Sequence, residues 1–441
     1  MDTIRRQTRI IAPASYIIYK DGTTIKVFNG TTDTIDYSGT NAAIVIQNAI
    51  NSLANGTTYI RQGIYTINDT IIPKTGVNII GEGVHSTILR LADNTNKDII
   101  KNTTNDIFGI TIADLTLDGN KVNNVTAGHG LWINSKAVFM KQVLAKNCRE
   151  YGIRLSMPRD LSGWIGSVLF RCRVEGCGGS GFRVIASDTR CVDCTAAQNI
   201  NSGFELVGGA TVLQECHSWG NHDHGVWVQE TVGSRIIGGS YESNNKSGIW
   251  IYGYTGAILK NIDVIGATCW NNSKYPVNNY EGISINANVV DCIIKGVLIT
   301  GCRCCDTGVL IADKTQRDGI RIYSNGTVQD VIIVGNYLME NRNSAITNSN
   351  MNGSNFQFKD NMGYKNENKG VLTDSGTGSK TQFTIIHGLV STPNYIDIQA
   401  KSSDAAGYKY WFADVVNITI TFITPPPSGT NNVVLSWKAE I

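Results

Sequence analysis

The sequence predicts an all-β chain: a right-handed parallel β-helix closed at its N-terminal end by one helix, with a small C-terminal β-sandwich behind it. Three observations carry that prediction. A signature of glycine, apolar, variable, apolar recurs at Gly130 (GLWI), Gly152 (GIRL), Gly181 (GFRV), Gly203 (GFEL), Gly225 (GVWV), Gly248 (GIWI), Gly282 (GISI) and Gly319 (GIRI). Gly203, Gly225 and Gly248 lie 22 and 23 residues apart, a period at which each repeat is one coil of a solenoid. Two further rows share the period: Asn199, Asn221 and Asn244 four residues before the glycine, and Cys172, Cys194 and Cys216 nine before it. Cys148 and Cys177 take the asparagine place in two earlier coils, and Asn341 takes it before a degenerate SAIT copy. Buried amides need partners, and identical amides stacked coil on coil can bond along their row. Within each copy, alternation sends Phe204 and Leu206 into the core and Glu205 outward.

Residues 1–40 form an N-terminal segment that reads as β hairpins from 15 to 38: SYIIY, the Asp21-Gly22 turn, TIKVF, then the Asn29-Gly30 turn. The stretch NAAIVIQNAINSLA is the one plausible helix, with Thr40 or Asn41 as N-cap and Asn55-Gly56 as its stop. An open solenoid end exposes apolar core and strand edges, and a helix laid across it covers both. The β-helix, with this cap, spans 41–369. Its first strands are TTYIRQGIYTI, TIIPKTGVNIIGEG, STILRLA and ITIADLTLDGN. Three insertions break the period: Ser156–Gly166, Asn271–Tyr280 and Ala312–Asp318. In solenoids such insertions become loops on one face, often the binding face. Residues 370–441 alternate as FTIIHGL, NYIDIQA, KYWFADV, ITITFI and VVLSWKA, with Pro425, Pro426 and Pro427 turning between the last two strands. That pattern is a small β-sandwich.

The helix AAIVIQNAI followed by GIYTI, GVNIIGEG and LTLDGN resembles the pectate-lyase-like right-handed parallel β-helix superfamily over roughly residues 40–365. The resemblance speaks to fold, because that superfamily includes polysaccharide lyases, glycoside hydrolases, epimerases, esterases and viral tailspikes. The C-terminal strings FTIIHGLVSTPNYI and PPPSGTNNVVLSWKAEI resemble modules of viral tail proteins. These resemblances imply a glycan-active protein on a virion surface, assembled as a homotrimer.

Composition narrows the classes. With a net charge of +2 and 17% charged residues, general attraction to nucleic acid or to an anionic membrane is not expected. No apolar run is long enough to span a bilayer. The start MDTIRRQTRI has no apolar region behind it, so no signal peptide is read; exit by virion release, or a start at a mature end, is the expectation. The 11 cysteines are read as small core residues rather than as disulfides or a metal cluster. Cys302, Cys304 and Cys305, and the lone Cys191/Cys194 pair, lack a second half at zinc-ribbon spacing. No cofactor and no metal are expected.

Function should lie on the outward positions, since packing consumes the inward ones. The variable residue of successive copies is Trp132, Arg154, Arg183, Glu205, Trp227, Trp250, Ser284 and Arg321, with Gln229, Tyr252, Asn286 and Tyr323 in the next outward place. The residue before the glycine adds Tyr151, His224, Glu281 and Asp318. Guanidinium forks bind carboxylates or sulfates, and indole faces stack on sugar C–H surfaces. The row is therefore read as a groove for an acidic polysaccharide, with Arg154, Arg183 and Arg321 holding anions and Trp227, Trp250 and Tyr252 as platforms. An ordinary exposed sheet face, or one covered by a sister chain, is the plainer alternative.

The densest chemistry is Asn221-His222-Asp223-His224-Gly225, one coil beyond Glu205. In the hydrolytic reading Glu205 is general acid, Asp223 base or nucleophile, and His224 tunes them. In the rival reading His224 is the base of a β-elimination and the arginines neutralise a uronate. Glu205 and His224 also match places in alginate-modifying β-helix enzymes, where an acidic residue follows an aromatic–Gly–Phe sequence and a His precedes the next glycine. Ser202 and Val207 stand where that family's tyrosine and second histidine would be, which argues against carrying over its mechanism. Gly128-His129-Gly130 resembles a polygalacturonase motif without the paired aspartates before it, and is taken as a coincidence of the repeat. The expected function is glycosidic-bond cleavage in an acidic polysaccharide, hydrolysis ahead of elimination. The alternative is a non-catalytic glycan-binding adhesin or structural spike.

Overall fold

The computed structural model describes residues 14–158, 166–349 and 354–441. Most of the Ser156–Gly166 insertion lies outside the described residues. The chain divides into two compact units, Met1–Ile332 with Glu340–Phe356, and Ile333–Met339 with Gln357–Ile441.

The first unit begins with the expected hairpin. Tyr16–Asp21 and Thr24–Asn29 pair antiparallel around Gly22 at φ +62°, and Thr34–Gly39 adds a third strand. Tyr16–Asp21 also runs parallel to Gly56–Ile60, which joins the hairpin to the first coil. The helix spans Ala42–Ser52; Asn41 caps it by accepting from the Ile44 amide at 3.3 Å. Its buried face is Ala42, Val45, Ile46, Ala49 and Ile50, the spacing of an amphipathic helix on a core.

Beyond these elements the coils stack as parallel strands in register. One sheet runs through Phe182–Val184, Phe204–Leu206, Val226–Val228, Ile249–Gly253 and Ile283–Ala287. A second contains Arg190–Val192, Val212–Gln214 and Arg235–Ile237, and a third Thr195–Ala197, His217–Trp219 and Ser240–Glu242. The chain passes from second to third sheet through a left-handed residue, Arg171, Asp193 or Glu215, at φ +53°, +52° and +51°. Each such residue carries strain of about 1 kcal/mol or more, repaid by the stacked hydrogen bonds on either side.

The signature glycine is required by the closeness of the coils. A Cβ on Gly203 would stand 2.8 Å from the Gly225 carbonyl oxygen, and one on Gly248 would stand 2.8 Å from that of Gly282. Both side-chain rows are buried as expected. Asn221 Oδ1 accepts from the Asn199 amide at 3.1 Å and from Asn199 Nδ2 at 3.0 Å, and Asn244 Oδ1 serves Asn221 in the same way. The ladder then continues through Asn272, Gln316 and Asn341. All 11 cysteines are free and buried. Cys194 and Cys216 donate to the carbonyls of Leu169 and Cys191 at 3.4 and 3.3 Å. Phe182 and Phe204 stack inside with ring centroids 4.7 Å apart.

The second unit contains two three-stranded antiparallel sheets. One orders Glu367–Gly376, Gly429–Glu440 and Tyr395–Ala400; the other orders Gln382–Ile386, Asn417–Phe422 and Tyr408–Ala413. Phe383, Ile385, Ile418 and Ile420 from one sheet share a core with Ile396, Ile398, Leu435 and Trp437 from the other. The five sequence-predicted strands are present, joined by Glu367–Gly376, whose alternation is masked by glycine, asparagine and charge.

Candidate functional site

The outward residues line up strand to strand as Lys101, Trp132, Arg154, Arg183, Glu205, Trp227, Trp250, Ser284, Arg321 and Thr347. The sequence row is reproduced in order, and the structure adds Lys101, hidden because its coil (DIIKN) has no signature glycine. Tyr252, Asn286 and Tyr323 align as the second outward row.

The cationic end is built around Trp132. Lys101 Nζ and the Arg154 guanidinium each sit 4.1 Å from the Trp132 ring centroid, and the indole N–H donates to Ser156 Oγ at 2.8 Å. Among the described residues no carboxylate pairs with Arg154, and its Nε is buried without a partner. Burial first, then the neighbouring Arg183 charge, lowers the Arg154 pKa. Arg183 donates to the Tyr151 hydroxyl. Below them, His129 Nδ1 lies 2.8 Å from Asp98 Oδ1 and 3.0 Å from Glu150 Oε2, while Lys101 Nζ holds Asp98 Oδ2 at 2.6 Å. Burial works to raise the Asp98 pKa, but the His129 and Lys101 hydrogen bonds prevail and set it at about 2. Asp98, His129 and Glu150 are the described residues whose ligand atoms converge as a metal ion would require, though Lys101 already supplies a counter-charge there.

Glu205 occupies the centre and is only 4% exposed. Gln229 Nε2 donates to its Oε1 at 2.8 Å, Ser180 Oγ donates to Oε2 at 3.2 Å, and Arg183 Nε stands 3.5 Å from Oε1. Both oxygens therefore already accept hydrogen bonds. Asp223 accepts from Ser202 Oγ at 3.1 Å and pairs with Lys246 Nζ at 2.5 Å. Burial opposes its ionisation, yet His224 and Lys246 outweigh that and keep the carboxyl below its ordinary range.

His224 departs from its expected part. It is 1% exposed, its Nδ1 accepts from the Ser247 amide at 3.2 Å, and its ring stacks on Trp250 at 4.1 Å. Burial lowers its pKa to about 3, so at neutral pH the ring is uncharged and is no acid. No hydrogen bond joins it to Glu205 among the described residues, and Lys246 is left as the charge that keeps Asp223 ionised. His224 instead supports a run of aromatics: Trp227 lies 5.3 Å from Trp250, and Trp250 stacks on Tyr252 at 4.1 Å.

Sequence reasoning passed over a second charged cluster. Arg317 donates from one guanidinium nitrogen to Glu281 Oε2 and from Nε to Asp318 Oδ2, both at 2.9 Å. Burial raises the Glu281 pKa to about 7 against the opposing pull of Ser284 and Arg317. Glu281 and Asp318 were visible as residues before the signature glycine; Arg317, inside an insertion, gave no signal.

No protein-family model matches the chain, and no curated protein matches it in sequence. Among solved structures it is similar to the enzymatically active domain of tailspike protein 2 of bacteriophage CBA120, with a TM-score of 0.54 and 12% identity over 91% of this chain and 68% of that one. The full-length form of that tailspike gives a TM-score of 0.54 at 12% identity, covering 91% of this chain and 61% of that one. The mannuronan C-5 epimerase AlgE4 A-module of Azotobacter vinelandii gives a TM-score of 0.48 at 16% identity, covering 71% of this chain and 94% of that one. At these identities it is the architecture that is shared: the chain is a parallel β-helix protein, of the fold to which phage tailspikes also belong.

Proposed function

We propose that the chain binds an acidic polysaccharide along the outward row and cleaves its glycosidic bonds, as a tailspike at a virion surface. The observation that carries this reading is the order of groups on consecutive coils. Two adjacent guanidiniums, one without a carboxylate partner among the described residues, are followed by a carboxylate and then by stacked Trp227, Trp250 and Tyr252. Coils about 4.8 Å apart put Arg154 to Trp250 over roughly 19 Å, the length of several sugar rings. Arg154, Arg183 and Arg321 take sugar anions; Trp227 and Tyr252 take ring faces, and Trp250, stacked between His224 and Tyr252, meets the sugar with its edge. Asp223, held ionised beside Lys246, is the base. Glu205, with both oxygens occupied, orients Arg183 and Gln229 toward substrate, a positioning part in place of the acid expected from sequence. His224 fixes the Trp250 ring.

A panel of acidic polysaccharides incubated with the full chain tests this reading by chain shortening. Ultraviolet absorbance separates elimination, which creates a conjugated double bond, from hydrolysis, which does not. Arg154→Ala is expected to weaken binding most for polymers of highest charge, and Trp250→Ala to weaken it by about 1–3 kcal/mol. The adhesin reading rests on the burial of Glu205 and His224; it wins if Trp250→Ala abolishes glycan binding and no polymer is shortened.

The assembly belongs to the same proposal. The strand Tyr408–Ala413 lies at a sheet edge, and Tyr410, Trp411 and Phe412 on it are exposed. Tyr408 and Ala413 at its ends pack against the sandwich core, while Tyr410 and Phe412 are half exposed or more and Trp411 is 39% exposed. A homotrimer that buries this strand suits the exposed aromatics.

A further inference from the structure

The N-terminal end of the outward row opens into a recess that the cleavage reading leaves without a part. Two cavities adjoin there. One, of about 350 Å³, is bordered by Asp98, Lys101, Trp132 and Glu150. The other, of about 530 Å³, lies against the capping helix and is bordered by Ile44, Asn48, Ile72 and Thr103. Asp69, Thr70 and Lys101 line both, so the two form one recess that runs from Trp132 to the helix. Its size is that of a small-molecule site.

The charges of the recess are arranged unlike those of the row beside it. Lys97 Nζ holds Asp69 Oδ1 at 2.8 Å, Lys101 Nζ holds Asp98 Oδ2 at 2.6 Å, and His129 Nδ1 faces both Asp98 and Glu150. Three carboxylates thus meet two ammoniums and one imidazole, and no positive charge is left over for an incoming anion. Arg154, by contrast, has no carboxylate partner among the described residues, and its Nε is buried unpaired. The side chains of Asp69 and Glu150 remain 64% and 45% exposed, and Ile44 and Ile72 are half exposed. Exposed carboxylates accept strongly from hydroxyl groups, and ammoniums donate to hydroxyl oxygens with the N–H bonds their ion pairs leave over. The two isoleucines suit a C–H face. Together these groups match a sugar ring that carries hydroxyls and no charge. The Trp132 ring is no platform for it. Lys101 and Arg154 each lie 4.1 Å from its centroid and His129 stacks on it at 5.0 Å, so the indole separates the recess from the Arg154 guanidinium.

Register sets the spacing. Lys101, Trp132 and Arg154 stand on consecutive coils, so the recess begins roughly 10 Å from Arg154, about two sugar residues along a chain. A polymer with a carboxylate on each sugar would set one against Asp69, Asp98 and Glu150 whenever another sat on Arg154, and like charges brought together oppose binding. Within the acidic-polysaccharide reading on which this rests, we infer that the recess is a subsite for uncharged sugar residues. The substrate is then a heteropolysaccharide whose acidic residue, held by Arg154 and Arg183, is flanked by uncharged sugars.

Isothermal titration calorimetry of the full chain tests this with two sets of oligosaccharides of equal length. One set is polyuronates charged on each residue; the other is fragments of acidic heteropolysaccharides with uncharged hexose or N-acetylhexosamine between the uronates. A heteropolysaccharide fragment is expected to bind tighter than any polyuronate. Ile44→Trp changes an exposed helix position and fills the recess, and should weaken that binding by about tenfold or more, as lost hydrogen bonds to charged groups would. Ile72→Trp fills the same recess from the facing coil and should show the same loss, which keeps the test open should the first variant not fold. Asp69→Asn combined with Glu150→Gln removes two negative charges and leaves weaker acceptors. Its affinity should fall for the heteropolysaccharide and rise for the polyuronate, a crossing that a merely structural role would not produce. Three outcomes overturn the subsite and leave the polysaccharide reading standing: a polyuronate bound tightest, both affinities of the double variant moving the same way, or wild-type binding by the filled variants while Arg154→Ala loses it. If neither set binds, the polysaccharide reading falls and the subsite with it.

Discussion

At the residue scale the positions just before the signature glycines hold two groups whose burial moves them in opposite senses. His224 is held at about 3, below its ordinary 6.5. Between those values the unfolded chain takes up the proton first, so His224 makes stability rise with pH from about 3 to 6.5. Glu281 is held at about 7, above its ordinary 4.5. In that window the folded chain keeps the proton that the unfolded chain has lost, so Glu281 makes stability fall as pH rises from 4.5 to about 7. The expected outcome is that Glu281→Gln raises the unfolding free energy at pH 8 by about 1–3 kcal/mol and leaves it nearly unchanged at pH 4. His224→Gln should flatten the loss of stability from pH 6.5 down to pH 4. Denaturant unfolding of both variants at several pH values checks the two signs independently. The carboxylates and the rings were visible in the sequence. Which carboxylate would be protonated was not, because the burial of Glu281 beside Arg317 has no periodic signal.

At the element scale the coil was legible because its constraints repeat. The glycine recurs because the next coil's carbonyl leaves no room for a Cβ, and the asparagine recurs because its amide bridges two coils. Legibility ended where spacing changed. Asn272 and Gln316 continue the ladder, but the insertions beside them shift their distance from the next glycine, so they fell outside the pattern. Lys101 was lost for the matching reason: its coil keeps the strand and lacks the glycine. The ladder makes a prediction of its own. Asn221→Ala removes the acceptor for both the Asn199 amide and its side-chain Nδ2, and the donor to Asn244 Oδ1. Each buried group left without a partner costs about 1–3 kcal/mol, so the loss should reach about 3 kcal/mol or more. Asn355→Ala, which removes an exposed bond to Asp330, should cost under about 1 kcal/mol. Thermal unfolding of the two variants side by side decides whether the buried row or the general amide content of the repeat holds the coils.

At the scale of the whole molecule the sequence indicated a β-helix followed by a sandwich, and both are present. What it left open is how exposed apolar surface is covered. In the sandwich, Tyr410, Trp411 and Phe412 lie side by side on an edge strand at 55%, 39% and 50% exposure. If this edge is the assembly surface proposed above, a closed assembly buries it and an open one pairs it without limit. Closure by a threefold axis buries one such strand per chain and leaves no free edge of that kind. The full chain is therefore expected to sediment as a trimer at micromolar concentration. Replacing Trp411 and Phe412 together by lysine puts two charges on each copy of the edge and should shift the species to monomer. Because the sandwich core is made by Phe383, Ile420, Leu435 and their neighbours rather than by these two residues, circular dichroism of the double variant should match the wild type. A wild-type monomer, or a double variant that remains trimeric, would mean that the aromatic edge is covered by something other than a sister chain. In the second case the trimer contacts must lie elsewhere.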